Sequence, residues 1–140
     1  MEAFCYRAKV LKVVDGDTLE VDIDLGFGVW MRDQSVRLNG VDTPESRTSN
    51  PEEKVRGLLS KAKVKELCPV GSSILIKTVL SEEREKFGRV LGVVMNEAGV
   101  NVNNFLIENN YAVAYEGQSK ESVQDLHKKN AQLLKERGEL

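Results

Sequence analysis

The sequence predicts one mainly β domain with flanking helices (α+β), its five strands closing into a barrel. Three observations carry that expectation. Leu19, Val21, Ile23 and Leu25 alternate with Thr18, Glu20, Asp22 and Asp24, the pattern of a half-buried strand. Two glycine turns, Asp15-Gly16-Asp17 and Gly26-Phe27-Gly28, link this strand to strand-like segments on either side, so three strands follow one another as a meander. A segment rich in Lys, Glu, Leu and Ala then interrupts the β pattern from Glu52 to Leu67 before further apolar strands begin.

The elements follow in order. Phe4, Tyr6, Ala8 and Val10 share one parity, and Leu11 and Val13 take the other, which predicts a bulged or bent first strand. Val29 to Leu38 reads as the third strand, with Val36 and Leu38 on one face and Arg37 on the other. The strand signal stops at Gly40-Val41-Asp42-Thr43-Pro44-Glu45, since Pro44 has no N–H for a sheet. After a polar loop, Ser46 to Pro51, Val55, Leu58, Leu59, Ala62 and Leu67 form an apolar stripe at helical spacing, and Pro69 and Gly71 close that helix. Ile74, Ile76 and Thr78 start a fourth strand, Ser81 to Phe87 is a charged loop or hairpin tip, and Val90 to Met95 is the fifth strand. A turn at 96–99, a short helix over Val102–Glu108 and an extended piece from Tyr111 to Tyr115 follow. The last helix starts near Ser119, with Val123, Leu126, Leu133 and Leu134 facing inward. Five strands with a helix between the third and fourth describe the OB-type barrel, whose closure removes exposed edges.

A length of 140 residues suits a single domain, 1–140, with its own core. With 41% apolar and 30% charged residues, the composition argues against disorder. No apolar run approaches the roughly 20 residues that span a bilayer, and Met1 to Arg7 has no basic segment followed by an apolar stretch. Neither a membrane partner nor a signal peptide is therefore expected. Cys5 and Cys68 form no metal spacing and no disulfide framework, which suits a reducing, cytoplasmic location. The net charge of −2 argues against a surface coated for tight, sequence-independent nucleic-acid binding. A local arginine cluster with a divalent cation could still dominate a cleft. A monomer without an obligate protein partner is the default expectation.

The polar residues that interrupt the strands are the candidates for chemistry. In a meander the start of the second strand lies beside the end of the third, so Asp17 and Asp42 can converge. Two carboxylates in one pocket repel, and a hard cation relieves that repulsion; calcium accepts carboxylate, carbonyl and water oxygens in irregular geometry, and magnesium is the alternative. Arg37 and Arg89 offer fixed forks of donors that suit phosphate oxygens. Cation, carboxylate and arginines together could hydrolyse a phosphodiester. An Asp-Gly-Asp turn is also simply a turn, and Asp-Thr-Pro-Glu a loop before a helix; by spacing alone, ordinary surface polarity is the commoner reading.

Three blocks change that balance: Val14-Asp15-Gly16-Asp17-Thr18, then Val36-Arg37-Leu38 with Val41-Asp42-Thr43-Pro44-Glu45, then Lys86-Phe87-Gly88-Arg89. Their order and intervals resemble the signature of the staphylococcal (micrococcal) nuclease, or thermonuclease, family, and the likeness continues through 101–115 and the final helix. The resemblance implies a calcium-dependent nuclease that cuts DNA and RNA, breaks the bond to the 5′ oxygen and leaves 3′-phosphates. It implies that Asp17 and Asp42 ligate calcium directly, that Thr43 adds its backbone carbonyl and that Glu45 reaches the ion through water. It casts Arg37 and Arg89 as grips on the scissile phosphate, Glu45 as general base or water-positioning group, and Lys86 and Tyr115 as substrate contacts.

The chain also departs from that pattern. Phe87 stands where the best-known member has a tyrosine, Gly117 where it has a second aromatic, and the loop 46–51 is shorter and less basic. The hairpin Leu25 to Asp33 is longer. Other conspicuous residues read as structural. His127 is expected on a helix surface or half-buried, and Trp30 as a barrel cap or a platform for a base. Lys61, Lys63 and Lys65 read as a solvated helix face, and Lys128, Lys129, Lys135 and Arg137 as partners of the last helix dipole. A non-catalytic OB-fold module that binds single strands, or a protein-interaction domain on the same scaffold, is the alternative to a nuclease.

Overall fold

In the computed structural model, which describes residues 4–79 and 88–140, five strands close the expected barrel. These are β1 (Cys5–Asp15), β2 (Thr18–Gly26), β3 (Val29–Leu38), β5 (Ser73–Val79) and β6 (Val90–Met95), in the order β1-β2-β3-β6-β5. All neighbours are antiparallel except β3 and β6, which run parallel, with Val36 opposite Val90 and Arg37 opposite Leu91. The parity change in β1 is a register irregularity between Val10 and Lys12. It lets one long strand bend across two neighbours, β2 and β5. Val10, Leu19, Val21, Val36, Leu38 and Ile76 are buried at the centre. Leu25 is not: the β2–β3 hairpin runs beyond the barrel, and Leu25, Phe27 and Val29 are exposed on it. Its tip turns through Phe27 and Gly28, both at positive φ, a conformation suited to a two-residue hairpin turn.

The chain does not leave sheet structure at Gly40. Val41–Asp42 forms a short strand, β4, which pairs with β7 (Val113–Ala114), Asp42 lying opposite Val113. Alternation cannot reveal a ladder of two residues. Among the described residues three helices complete the fold: α1 (Pro51–Leu67), α2 (Val102–Glu108) and α3 (Lys120–Glu136). Asn50 caps α1 through its side-chain oxygen, which accepts from the Glu52 and Glu53 N–H groups. The expected loop or hairpin tip at Ser81 to Phe87 lies outside the described residues. No helix among the described residues is long and apolar enough to cross a membrane. Cys5 and Cys68 are unpaired; Cys68 is buried, which pushes its thiol pKa up to about 11.

The buried faces of α1 and α3 match the expected stripes in part: Leu59 and Leu67 pack against the core, and Val123 and Leu134 are buried. Val55 and Leu58 are 56% and 46% exposed, and α1 buries Gly57, Ser60 and Val64 instead. The reason is close approach. A Cβ on Gly57 would stand 2.4 Å from the Glu45 carbonyl carbon and oxygen and 2.6 Å from the Ser46 nitrogen, so the helix backbone rests directly on the loop after β4. Ser60 donates its hydroxyl to the Tyr111 carbonyl at 2.6 Å, tying the same face to the segment before β7. On α3, Leu126 and Leu133 are exposed, and the buried residues are Val123, His127 and Leu134. His127, expected at or near the surface, is only 3% exposed.

Gly57→Ala separates helix propensity from this contact. In an open helix the change stabilises by up to about 1 kcal/mol. Here the added methyl meets backbone, and overpacking of about 1–3 kcal/mol should exceed that gain. Denaturant unfolding should show a net loss of stability; an unchanged or more stable variant would contradict the packing.

Candidate active site

The site forms where the β1–β2 turn meets the end of β3. The Leu38 N–H donates to the Asp17 carbonyl at 2.9 Å, fixing the turn against the strand end. The turn also presses on the next loop: a Cβ on Gly16 would lie 2.9 Å from Thr43 Oγ1 and 3.0 Å from Ser60 Cβ. Only glycine fits between α1 and Thr43 without a shift. Asn103, buried in α2, secures the other side. Its amide donates to the Asn39 carbonyl at 2.9 Å and the Gly92 carbonyl at 3.2 Å, and its Oδ1 accepts from the Val94 N–H at 3.0 Å. One side chain thus closes the β6 edge and holds the turn that leads to Asp42.

Arg37 stands at the centre. Its Nη1 donates to the Leu38 and Val41 carbonyls, both at 3.0 Å, which folds the β3–β4 turn around the guanidinium. Its Nη2 lies 3.8 Å from Asp17 Oδ2 and 3.8 Å from Asp42 Oδ1. These are charge contacts beyond hydrogen-bond length, so the carboxylate oxygens keep their lone pairs. The Thr43 N–H reaches Asp17 Oδ2 at 3.4 Å, and the Thr18 hydroxyl donates to Asp17 Oδ1 at 3.1 Å. Asp42 Oδ2 lies 2.8 Å from His127 Nε2. A cleft of about 1040 Å³ opens over this cluster, lined among others by Arg37, Asp42, Thr43, Glu45, Tyr115 and His127. The Tyr115 N–H donates to the Gly40 carbonyl at 2.8 Å, which sets Tyr115 on the cleft wall.

The electrostatics are those of an excess of negative charge. Burial raises the Asp17 pKa and the neighbouring Asp15 adds to the rise, outweighing the charge of Arg37 and the hydrogen bonds from Thr43 and Thr18. Glu45 is also raised, first by desolvation at the cleft wall and then by Asp15, Asp17, Asp42 and Glu53. Among the described residues no group of three or more His, Cys, Asp or Glu side chains is arranged to hold a metal ion. A cation here would rest on Asp17 and Asp42, completed by carbonyl and solvent oxygens. That all-oxygen set suits a hard ion of flexible geometry, not zinc. Thr43 Oγ1, buried without a partner, is a further oxygen at the back of the cluster.

Of the residues expected at the site, Arg37, Asp17, Asp42, Thr43, Glu45 and Tyr115 converge. Arg89 immediately precedes β6, whose first residue, Val90, pairs with Val36 next to Arg37. Lys86 lies outside the described residues. Sequence reasoning missed His127 and Asn103. Nothing in their local spacing marks them, because each reaches the site across a distant packing contact.

A model of the staphylococcal nuclease homologue family matches residues 35–139, the larger part of the chain. The chain belongs to that family. Endonuclease YhcR of Bacillus subtilis (strain 168) is 33% identical over 115 residues, covering 79% of this chain and 9% of that protein. A protein of Escherichia coli named as an uncharacterized endonuclease is 32% identical over 117 residues, covering 84% of this chain and 66% of that protein. Its counterpart in Escherichia coli O157:H7 matches to the same extent. The chain therefore spans under two thirds of the length of these relatives. Family membership agrees with the resemblance read in the three sequence blocks, and the barrel agrees with the fold that it implies.

The raised pKa of Asp17 has a stability consequence. The folded chain binds this proton more tightly than the unfolded chain does. The stability it contributes is present in acid and is lost as pH rises through the folded-state pKa. In chelator near neutral pH, Asp17→Asn should therefore raise the melting temperature by a few degrees, the size of a change of about 1 kcal/mol in a domain near this length. The gain should shrink as pH falls and the wild-type side chain becomes neutral as well. Melting curves across pH test this; an asparagine variant less stable than wild type at neutral pH would contradict it.

Proposed function

We propose that this chain is a calcium-dependent nuclease that hydrolyses phosphodiester bonds of DNA or RNA and leaves 3′-phosphate ends. The observation that carries the reading is the convergence of Asp17 and Asp42 on one nitrogen of Arg37, with Glu45 on the wall of the same cleft. Family membership and relatives named as endonucleases support it. A hard cation would add positive charge to that of Arg37 beside this acidic cluster.

Asp17 and Asp42 would hold calcium with the Thr43 carbonyl, and Glu45 would meet it through water. Bound there, calcium polarises a phosphoryl oxygen and offsets the charge that builds on it. Arg37 and Arg89 bind the phosphate, their forks matching its oxygens as charge moves onto them. Glu45 accepts the proton of the attacking water. Its carboxylate, on the cleft wall, is the base that this step needs. The water oxygen forms the new bond to phosphorus, the bond to the 5′ oxygen breaks, and that oxygen takes up a proton and leaves as a hydroxyl. Tyr115, on the cleft wall, offers a face to a neighbouring base or sugar.

The test is digestion of single- and double-stranded DNA and of RNA with calcium or chelator, followed by analysis of the new ends. Cleavage should require calcium and yield 3′-phosphates. Arg37→Ala should lower kcat by roughly 10²–10³-fold, the scale of one lost transition-state donor, and Arg37→Lys should recover little because it keeps charge without the fork. Cleavage indifferent to chelator, or wild-type kcat in Arg37→Ala, would overturn the reading. Binding of single strands without cleavage would mark the chain as a non-catalytic module.

A further inference from the structure

The buried histidine of α3 has no part in the chemistry above, yet it makes the shortest side-chain contact to either aspartate of the cluster. His127 Nε2 lies 2.8 Å from Asp42 Oδ2, whereas Arg37 is 3.8 Å from Asp42 Oδ1. We infer that His127 is a positioning residue: it donates its Nε2–H to Asp42 and fixes the direction in which that carboxylate presents its other oxygen.

A carboxylate only accepts hydrogen bonds, so the proton of this pair sits on Nε2. Among the described residues, Asp42 has little else to hold it. It belongs to a strand of two residues, its side chain is 30% exposed, and its contact with Arg37 is too long for a hydrogen bond. A free carboxyl at such a place rotates about its own axis, exchanging its oxygens. With Oδ2 held by the imidazole, Oδ1 is left facing the Arg37 nitrogen that also meets Asp17.

The imidazole is itself well anchored. His127 is 3% exposed on the inner face of α3, one helical turn from buried Val123. The Asn130 amide, from the same helix, donates to the Ala112 carbonyl at 3.1 Å, just before the strand that pairs with Asp42. Helix and β4–β7 ladder are thereby joined beside the histidine, so its ring has a fixed place to donate from. A hydrogen bond that orients a ligating carboxylate typically changes metal affinity by roughly 10–100-fold when it is lost.

The consequence for calcium rests on the nuclease reading, so the test carries a measurement that does not. Wild type, His127→Leu and His127→Gln are compared as the whole chain. Glutamine can return an N–H near the Nε2 position, and leucine fills the space without a donor. Calcium binding is titrated by calorimetry, and the chelated proteins are compared by imidazole nitrogen and Asp42 carboxylate NMR and by melting temperature. The leucine variant should bind calcium roughly 10–100-fold more weakly, and glutamine should restore most of the loss. In the chelated proteins the wild-type imidazole should carry its proton on Nε2. The Asp42 carboxylate resonance should move in the leucine variant and return in the glutamine variant. Wild-type affinity in the leucine variant, or glutamine no better than leucine at equal melting temperature, would overturn the positioning role. If wild type binds no calcium, the metal reading falls, and an Asp42 resonance unmoved by His127→Leu would overturn the positioning role as well.

Discussion

Crowding carboxylates into a partly buried cleft works against folding, since each desolvated charge raises the energy of the others. Here Asp15, Asp17, Asp42 and Glu53 are all near enough to act on Glu45, and Arg37 stands beside Asp17 and Asp42 with a guanidinium partly spent on two carbonyls. The chain must hold this arrangement by other means. Gly16 and Gly57 let the turn and α1 approach the Thr43–Ser46 loop at backbone distance. Asn103 ties the β3–β4 turn to the barrel, and the β4–β7 ladder draws α3 toward Asp42. These devices sit on elements far apart in the chain, and each bears on the same few atoms. A closed barrel suits the task because its strand ends have fixed relative positions, so a loop anchored to two of them has little room to relax.

That division explains what could be read from the sequence. The alternation of Thr18 to Ile23 is a local consequence of one buried face, and the turn at Gly26 to Gly28 is a local consequence of backbone freedom, so the meander is legible. The convergence of Asp17 and Asp42 followed from the meander alone. The helix faces were not legible in the same way. An apolar stripe marks a helix that packs through large side chains. The fully buried residues of α1 are Gly57, Ser60 and Val64, and at Gly57 the backbone of Glu45 and Ser46 leaves no space for a side chain. The sequence places His127 on a helix surface or half-buried, since it lies far along the chain from the acidic cluster and calcium prefers oxygen ligands. Its burial depends on Asp42, distant in sequence and supplied by a strand too short to recognise. Leu25 shows the reverse error: its parity is correct, but the strand has left the barrel by that point.

The same geometry bears on how a phosphodiester would be met. Arg37 does not clamp either carboxylate; it stands between them at charge-contact distance, leaving oxygens on both sides of the cluster available. Glu45, on the cleft wall, has its pKa raised first by desolvation and then by the charges around it, and a cation entering beside it would offset those charges. If the site acts as proposed, stability and function would pull in opposite directions here, as they commonly do where activity needs an unfavourable charge arrangement.

The most direct test is a crystal structure grown with calcium and a nucleotide, with the ion located by its anomalous scattering. The account predicts calcium ligated by oxygens of both Asp17 and Asp42 at roughly 2.3–2.6 Å, completed by carbonyl and water oxygens, with a phosphate against Arg37. Calcium bound elsewhere, or absent from this cleft at saturating concentration while the nucleotide still occupies it, would contradict it.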